Sequence, residues 1–217
     1  RRGAAGLGID QIDAIFITHE HADHVGCAHT VALRHRIPVF MSRGTHVAIG
    51  APDFDGLLQM AHDMVPIDLG TVCAVPFTVP HDAREPLQLR CTDGASHLGL
   101  LTDLGHASPH VLQQLQGCHA LLLEANHDPD MLAASGYPAF LKRRIAGVHG
   151  HLANHDAAGI LAAVRHTGLN RVVAAHLSAQ NNQPRLAQQA LAHSMGWPAD
   201  AVDIASATAG TDWINVV

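Results

Sequence analysis

Four potential metal ligands fall within six residues at His19-Glu20-His21-Ala22-Asp23-His24. No other stretch restricts the fold as much, because side chains this close in sequence reach common points only where the backbone changes direction among them. Residues 12–18, Ile-Asp-Ala-Ile-Phe-Ile-Thr, form a short apolar run of the kind that makes a buried strand. In extended chain, residues two apart project to the same side, so His19 and His21 can converge on one ion. A turn directly after them presents Asp23 and His24 to a second ion. Imidazole and carboxylate suit zinc or another first-row metal, and no Cys pair stands nearby to close a structural zinc site. With 19 histidines in 217 residues, clustering alone carries little weight. The strand before the cluster and Gly26 after it supply the context of a site.

A length of 217 residues fits one domain, residues 1–217, with a substantial core. Hydrophobic content of 47% against 15% charged residues excludes a disordered chain. No apolar run approaches the ~18 residues of a membrane span. Cys27, Cys73, Cys91 and Cys118 are scattered, which reads as buried thiols in a reducing compartment, hence a cytoplasmic protein.

Periodicity predicts a helix over 23–36 closed by Pro38, then a strand over 37–41, a βαβ unit. Strands are expected over 64–69 and 71–79, a hairpin from 87–91 and 98–101, and further strands over 120–124, 172–175, 202–205 and 213–216. Helices are expected over 44–49, 109–116, 137–146, 155–166 (stopped by Gly168) and 184–194. Strands mixed with helices throughout imply an α/β layered fold. One pattern recurs. His19, His81, Asp103, Glu124 with His127, and His176 each stand where an apolar strand stops.

The segment Thr18-His-Glu-His-Ala-Asp-His-Val-Gly26 resembles the signature of the metallo-β-lactamase-fold hydrolases. Later blocks resemble one branch of them, the YycJ/VicX-type proteins, assigned as DNA-processing nucleases. These are His81-Asp-Ala83, Thr102-Asp-Leu-Gly105, Glu124-Ala-Asn-His-Asp128, Tyr137-Pro138 with Leu141-Lys-Arg-Arg-Ile145, Gly150-His-Leu-Ala-Asn154, and His176-Leu-Ser178 with Asn181-Asn182. The resemblance implies an αββα sandwich. Such proteins usually carry two strands before the metal signature, and only a short stretch precedes it here, which leads us to expect an N-terminally incomplete chain.

The resemblance further implies two divalent ions, zinc or alternatively manganese. His19, His21 and His81 would hold the first; Asp23, His24 and His176 the second; Asp103 would bridge them. Two ions ~3.5–4 Å apart can share a hydroxide ionised near neutral pH, suited to in-line attack on a phosphodiester. Asp23 and His151 are the candidate catalytic residues, His151 as proton donor or phosphate contact, with His149 and His155 close enough in sequence to be confused with it. Ala153 stands where the family usually has Ser, and Leu104 where it often has Thr. Asn154 is also a good helix N-cap. Ser178, Asn181 and Asn182 can donate hydrogen bonds to substrate, or simply form a polar loop. Glu124, His127 and Asp128 are candidates to orient ligand imidazoles.

A net charge of −6 is unusual for a protein that binds phosphates. Lys142-Arg143-Arg144 is the densest basic run, either a substrate contact or a solvated helix face. The function expected is therefore a dinuclear metal-dependent nuclease acting on nucleic acid, DNA by the resemblance, as an exonuclease. A thioesterase of the glyoxalase II kind, a lactonase, or an inactive metal-binding relative would share the same ligands. Oligomeric state is not legible in the sequence.

Overall fold

The computed structural model describes residues 6–216. In chain order, β1 (Ile15–Phe16) leads through α1 (Ala22–Val25) and α2 (Ala28–His35) to β2 (Val39–Met41), α3 (Arg43–Ala48) and β3 (Leu58–Met60). Then come β4 (Ile67–Asp68), β5 (Cys73–Thr78), β6 (Leu87–Thr92), β7 (His97–Leu101), α4 (Pro109–Leu115) and β8 (Ala120–Glu124). The rest comprises α5 (Pro129–Ala134), α6 (Ala139–Ile145), α7 (Asn154–Val164), β9 (Arg171–Ala175), α8 (Pro184–Met195) and β10 (Val202–Ile204).

The strands form two sheets. One is parallel, in the order β1-β2-β3. The other has seven strands in the order β10-β9-β8-β7-β6-β5-β4, parallel from β10 to β7 and antiparallel from β7 to β4. The two meet face to face where Phe40 and Ala61, with Phe16 beside them, pack against Leu87 and Ile67. Outside the small sheet, Ala32 of α2 packs on Ile17, Val39 and Met41. Outside the large one, α4, α7 and α8 bury Val111, Leu115, Ile160, Leu161, Leu191 and Met195 against Leu121, Leu123, Val172 and Ala174. The result is four layers: helix, sheet, sheet, helices. Because β8 and β9 are central and buried on both faces, they read as continuous apolar runs rather than alternating ones.

The predicted helix over 23–36 is two helices. Gly26, at φ 46° and ψ −126°, adopts a conformation that side chains exclude, and it parts the short helix carrying Asp23 and His24 from the one that packs on the sheet. The strand expected over 213–216 does not form. A turn bridging Ser206 and Gly210 redirects the chain, and Trp213 is 77% exposed, so this segment has no face to bury. Gly168 does not stop α7, which ends at Val164 with Arg165 extended. Cys118 alone of the cysteines is buried; Cys73 and Cys91 are half-buried, Cys27 is exposed, and none forms a disulfide. No helix among the described residues is long and apolar enough to cross a membrane.

Candidate metal centre

The loops that leave β1, β5, β7 and β9 at one edge of the sandwich, with the last residue of β8, bring His19, His81, Asp103, Glu124 and His176 together. Backbone hydrogen bonds lock these loops to one another. Gly105 N donates to Pro80 O at 2.9 Å, and Asp82 N to His149 O at 2.9 Å. Asp103 and His176 have φ values of 56° and 55°. Left-handed backbone at two non-glycine residues typically stores ~1–3 kcal/mol each, and here it falls on two residues of the site.

His19, His21 and His81 form one group of converging donors, and Asp23, His24 and His176 another. Asp103 stands between them. Its Oδ2 is 3.1 Å from His24 Nε2, and its Oδ1 is 3.6 Å from His176 Nδ1 and 3.9 Å from His81 Nε2. The seven residues that the resemblance implied as ligands are thus brought to one place.

Hydrogen bonds on the far side of each ring decide which nitrogen faces inward. His81 Nδ1 donates to Gly150 O at 3.1 Å, leaving the Nε2 lone pair for the site. Thr18 Oγ1 lies 3.0 Å from His19 Nδ1 and 3.1 Å from His24 Nδ1. A hydroxyl oxygen can accept from both, which turns both Nε2 atoms inward. His19 Nε2 then lies 3.0 Å from His21 Nδ1, and His81 Nε2 3.3 Å from that same atom. Three lone pairs converging on one point repel unless a cation lies among them. Asp103 Oδ2 is buried and makes no hydrogen bond. The donor set fits divalent metal, with imidazole and carboxylate ligands and no thiolate.

Glu124 is fully buried beneath this cluster. Its Oε1 accepts from His151 Nδ1 at 2.8 Å and His176 Nδ1 at 2.9 Å; its Oε2 accepts from Leu104 N and Leu152 N, each at 3.2 Å. The carboxylate therefore orients the His176 imidazole and anchors the loops of Asp103 and His151. Asp128 does not join it, because its side chain caps α5 by accepting from Asp130 N and Met131 N. His127 is buried near Glu124, and its Nδ1 makes no hydrogen bond.

Charge follows this arrangement. Burial, reinforced by the neighbouring His24, lowers the pKa of His19 to about 3. Burial also lowers that of His81. Burial opposes ionisation of Asp103, but the surrounding His24, His176 and His19 hold its carboxyl well below the usual range. For His176, burial is outweighed by the Glu124 hydrogen bond and the charges of Asp103, Glu124 and Asp23, which raise it to about 9. His151 is raised in the same way: burial is outweighed by its hydrogen bond to Glu124.

Of the three nearby histidines, His151 is the one at the centre, its ring centroid 5.3 Å from that of His81 and 5.4 Å from that of His176. His149 and His155 are exposed. Asn154 does not cap α7. It is the first helical residue, and its Nδ2 donates to Asn182 Oδ1 at 2.9 Å. Asn182 Nδ2 in turn donates to Ala125 O and Asn154 Oδ1, and its Oδ1 also accepts from Gln183 N, so its amide is committed within the protein. Asn181 is buried, with its N donating to Ser178 Oγ at 3.1 Å. Ser178 lines a cleft of about 600 Å³ that opens from Asp23, His24 and His176 and is walled by Leu177, Pro184 and Ile204. Lys142 Nζ donates to Ala133 O and so ties α6 to α5, whereas Arg143 is exposed.

Two residues that the sequence did not single out belong to the centre. Thr18 and Asp82 each adjoin a candidate ligand in sequence, the only signal they carry. Asp82 Oδ1 lies 3.5 Å from His81 Nε2, and its Oδ2 accepts from Arg144 Nε at 2.5 Å.

A family model for the beta-lactamase superfamily domain matches residues 2–177. The chain belongs to the metallo-β-lactamase superfamily. Within the superfamily it is similar to the exodeoxyribonuclease YycJ of Bacillus anthracis, 32% identical over 192 residues that cover 86% of this chain and 72% of that protein. It is also similar to the exodeoxyribonuclease WalJ of Streptococcus pneumoniae, 28% identical over 191 residues, 86% of this chain and 71% of the other. Among solved structures, the metallo-β-lactamase-fold protein YhfI from Bacillus subtilis superimposes with a TM-score of 0.70 at 14% identity, over 93% of this chain and 77% of that one. Superfamily membership and the His/Asp cluster make the protein a metal-dependent hydrolase of the YycJ/WalJ branch.

Proposed function

We propose that this hydrolase is a dinuclear nuclease that removes nucleotides from the ends of DNA. The observation that carries the reading is the pair of three-histidine-or-carboxylate groups with Asp103 between them, in a chain similar to relatives named exodeoxyribonucleases. His19, His21 and His81 would hold one ion and Asp23, His24 and His176 the other, with Asp103 placed to serve both. Divalent ions bound there, zinc or manganese, would supply a water ionised near neutral pH and positive charge for the phosphoryl oxygens.

The chain's own residues do the rest. Glu124 keeps the proton of His176 on Nδ1 and so directs Nε2 at the site. The same carboxylate holds His151 protonated at Nδ1 and raises its pKa. His151 is then placed to give a proton, from Nε2, to the oxygen that leaves phosphorus. Asp23 at the rim, its side chain 68% exposed, meets both His24 and His176 and faces the cleft where Ser178 can reach the substrate.

The test is digestion of end-labelled single- and double-stranded DNA by protein reconstituted with zinc or manganese, with Asp103→Ala as control. Progressive shortening by the wild type, lost in the variant, is expected. Turnover of thioesters or lactones without any DNA cleavage would overturn the nuclease reading and retain the site.

A further inference from the structure

Helix α6 stands on the His81 side of the centre, joined to it through Arg144 and Asp82. Four residues before Arg144, and therefore on the same helix face, is Phe140, 66% exposed. Val148, beyond the end of the helix, is 64% exposed. Single exposed apolar residues are ordinary on protein surfaces. This ring is set apart by its company, because the helix also carries Lys142, Arg143 and Arg144 in its last turn, in a chain of net charge −6. Its position is also fixed. A Cβ on Gly150 would lie 2.2 Å from the carbonyl oxygens of Arg144 and Ile145, so the end of α6 and the strand of chain leading to His151 are in direct backbone contact.

An aromatic ring beside cations, on the His81 side of a candidate metal centre, matches the chemistry of single-stranded nucleic acid. Cations meet the phosphates while an unpaired base of any identity stacks on the ring. Resting on the nuclease reading above, we infer that Phe140 is a stacking platform for an unpaired base of the strand being cut, next to the nucleotide held in the centre, with Arg143 at an adjoining phosphate. A paired base offers no free face, so the enzyme would favour single-stranded or fraying ends over blunt duplex.

The test is fluorescence anisotropy with zinc-loaded protein and a cleavage-resistant, labelled phosphorothioate oligothymidylate, compared with the same backbone made of abasic units. Wild type should bind the base-bearing strand about tenfold more tightly. Phe140→Ala should bind both at the abasic level, and Phe140→Trp should restore the difference. Equal binding of the two strands by wild type, or a preference that survives Phe140→Ala, would overturn the inference. Cleavage of the unmodified strand by wild type is read in parallel. Cleavage without base preference sinks the platform alone; base preference without cleavage sinks the nuclease reading alone.

Discussion

One carboxylate, Glu124, holds two imidazoles and two backbone amides at once. Glu124→Gln keeps its size but puts an NH2 group against N–H donors whichever way the amide turns. Leaving buried donors unsatisfied costs ~1–3 kcal/mol, and loosening a partner of a ligand imidazole typically weakens metal binding ~10–100-fold. Denaturant unfolding and zinc affinity of the variant should show both losses; unchanged values would exclude Glu124 as the anchor. The histidines predict a pH optimum for chelator-treated protein. His19, lowered to about 3, cannot take up the proton that the unfolded chain binds below pH 6.5, so its contribution falls as pH drops from 6.5 toward 3. His176, raised to about 9, contributes fully below 6.5 and loses that contribution as pH rises to 9. Stability from these two groups therefore peaks near pH 6.5, which unfolding of metal-free protein across pH 4–9 would check. At this scale the sequence showed the donors, because ligand types and strand ends are local features. It hid Thr18 and Asp82, whose roles exist only once distant loops meet, and it misread Asp128 and Asn154, polar residues equally able to cap a helix or hold a neighbour.

Among the elements, the strand ends and the tight loops after them set the site. The backbone is closely confined at Gly150, whose carbonyl orients His81. Gly150→Ala drives a methyl group into the end of α6. Overpacking of this kind costs ~1–3 kcal/mol, and it would displace the His81 acceptor, so a lower melting temperature together with weaker zinc binding is expected. A variant with wild-type values in both would show the contact to be slack. Elements with strong apolar patterns were legible: β8 matches its predicted span, and the β6–β7 hairpin pairs as expected, Cys91 opposite Leu98. β3 was not, since Gln59 and Met60 are exposed and offer no pattern. The start of α5 was signalled by Asp128-Pro129, an N-cap followed by proline at the first helical position, but a six-residue helix has too little periodicity to stand out.

For the molecule as a whole, a net charge of −6 and a basic helix joined to the His81 side of the centre act in opposite directions. DNA affinity should fall with salt, and Arg143→Ala should reduce the slope of log K against log salt by about 1 while weakening all sequences alike; an unchanged slope would remove Arg143 from the phosphate path. The four-layer architecture was legible only through the resemblance, because short strands at sheet edges carry no signal of which sheet they join. The central claim, that seven residues form a site for two ions, is tested most directly by counting bound zinc on chelated and retitrated protein by elemental mass spectrometry. Two ions per chain are predicted for the wild type and one for His81→Ala. One ion or none on the wild type would contradict the account.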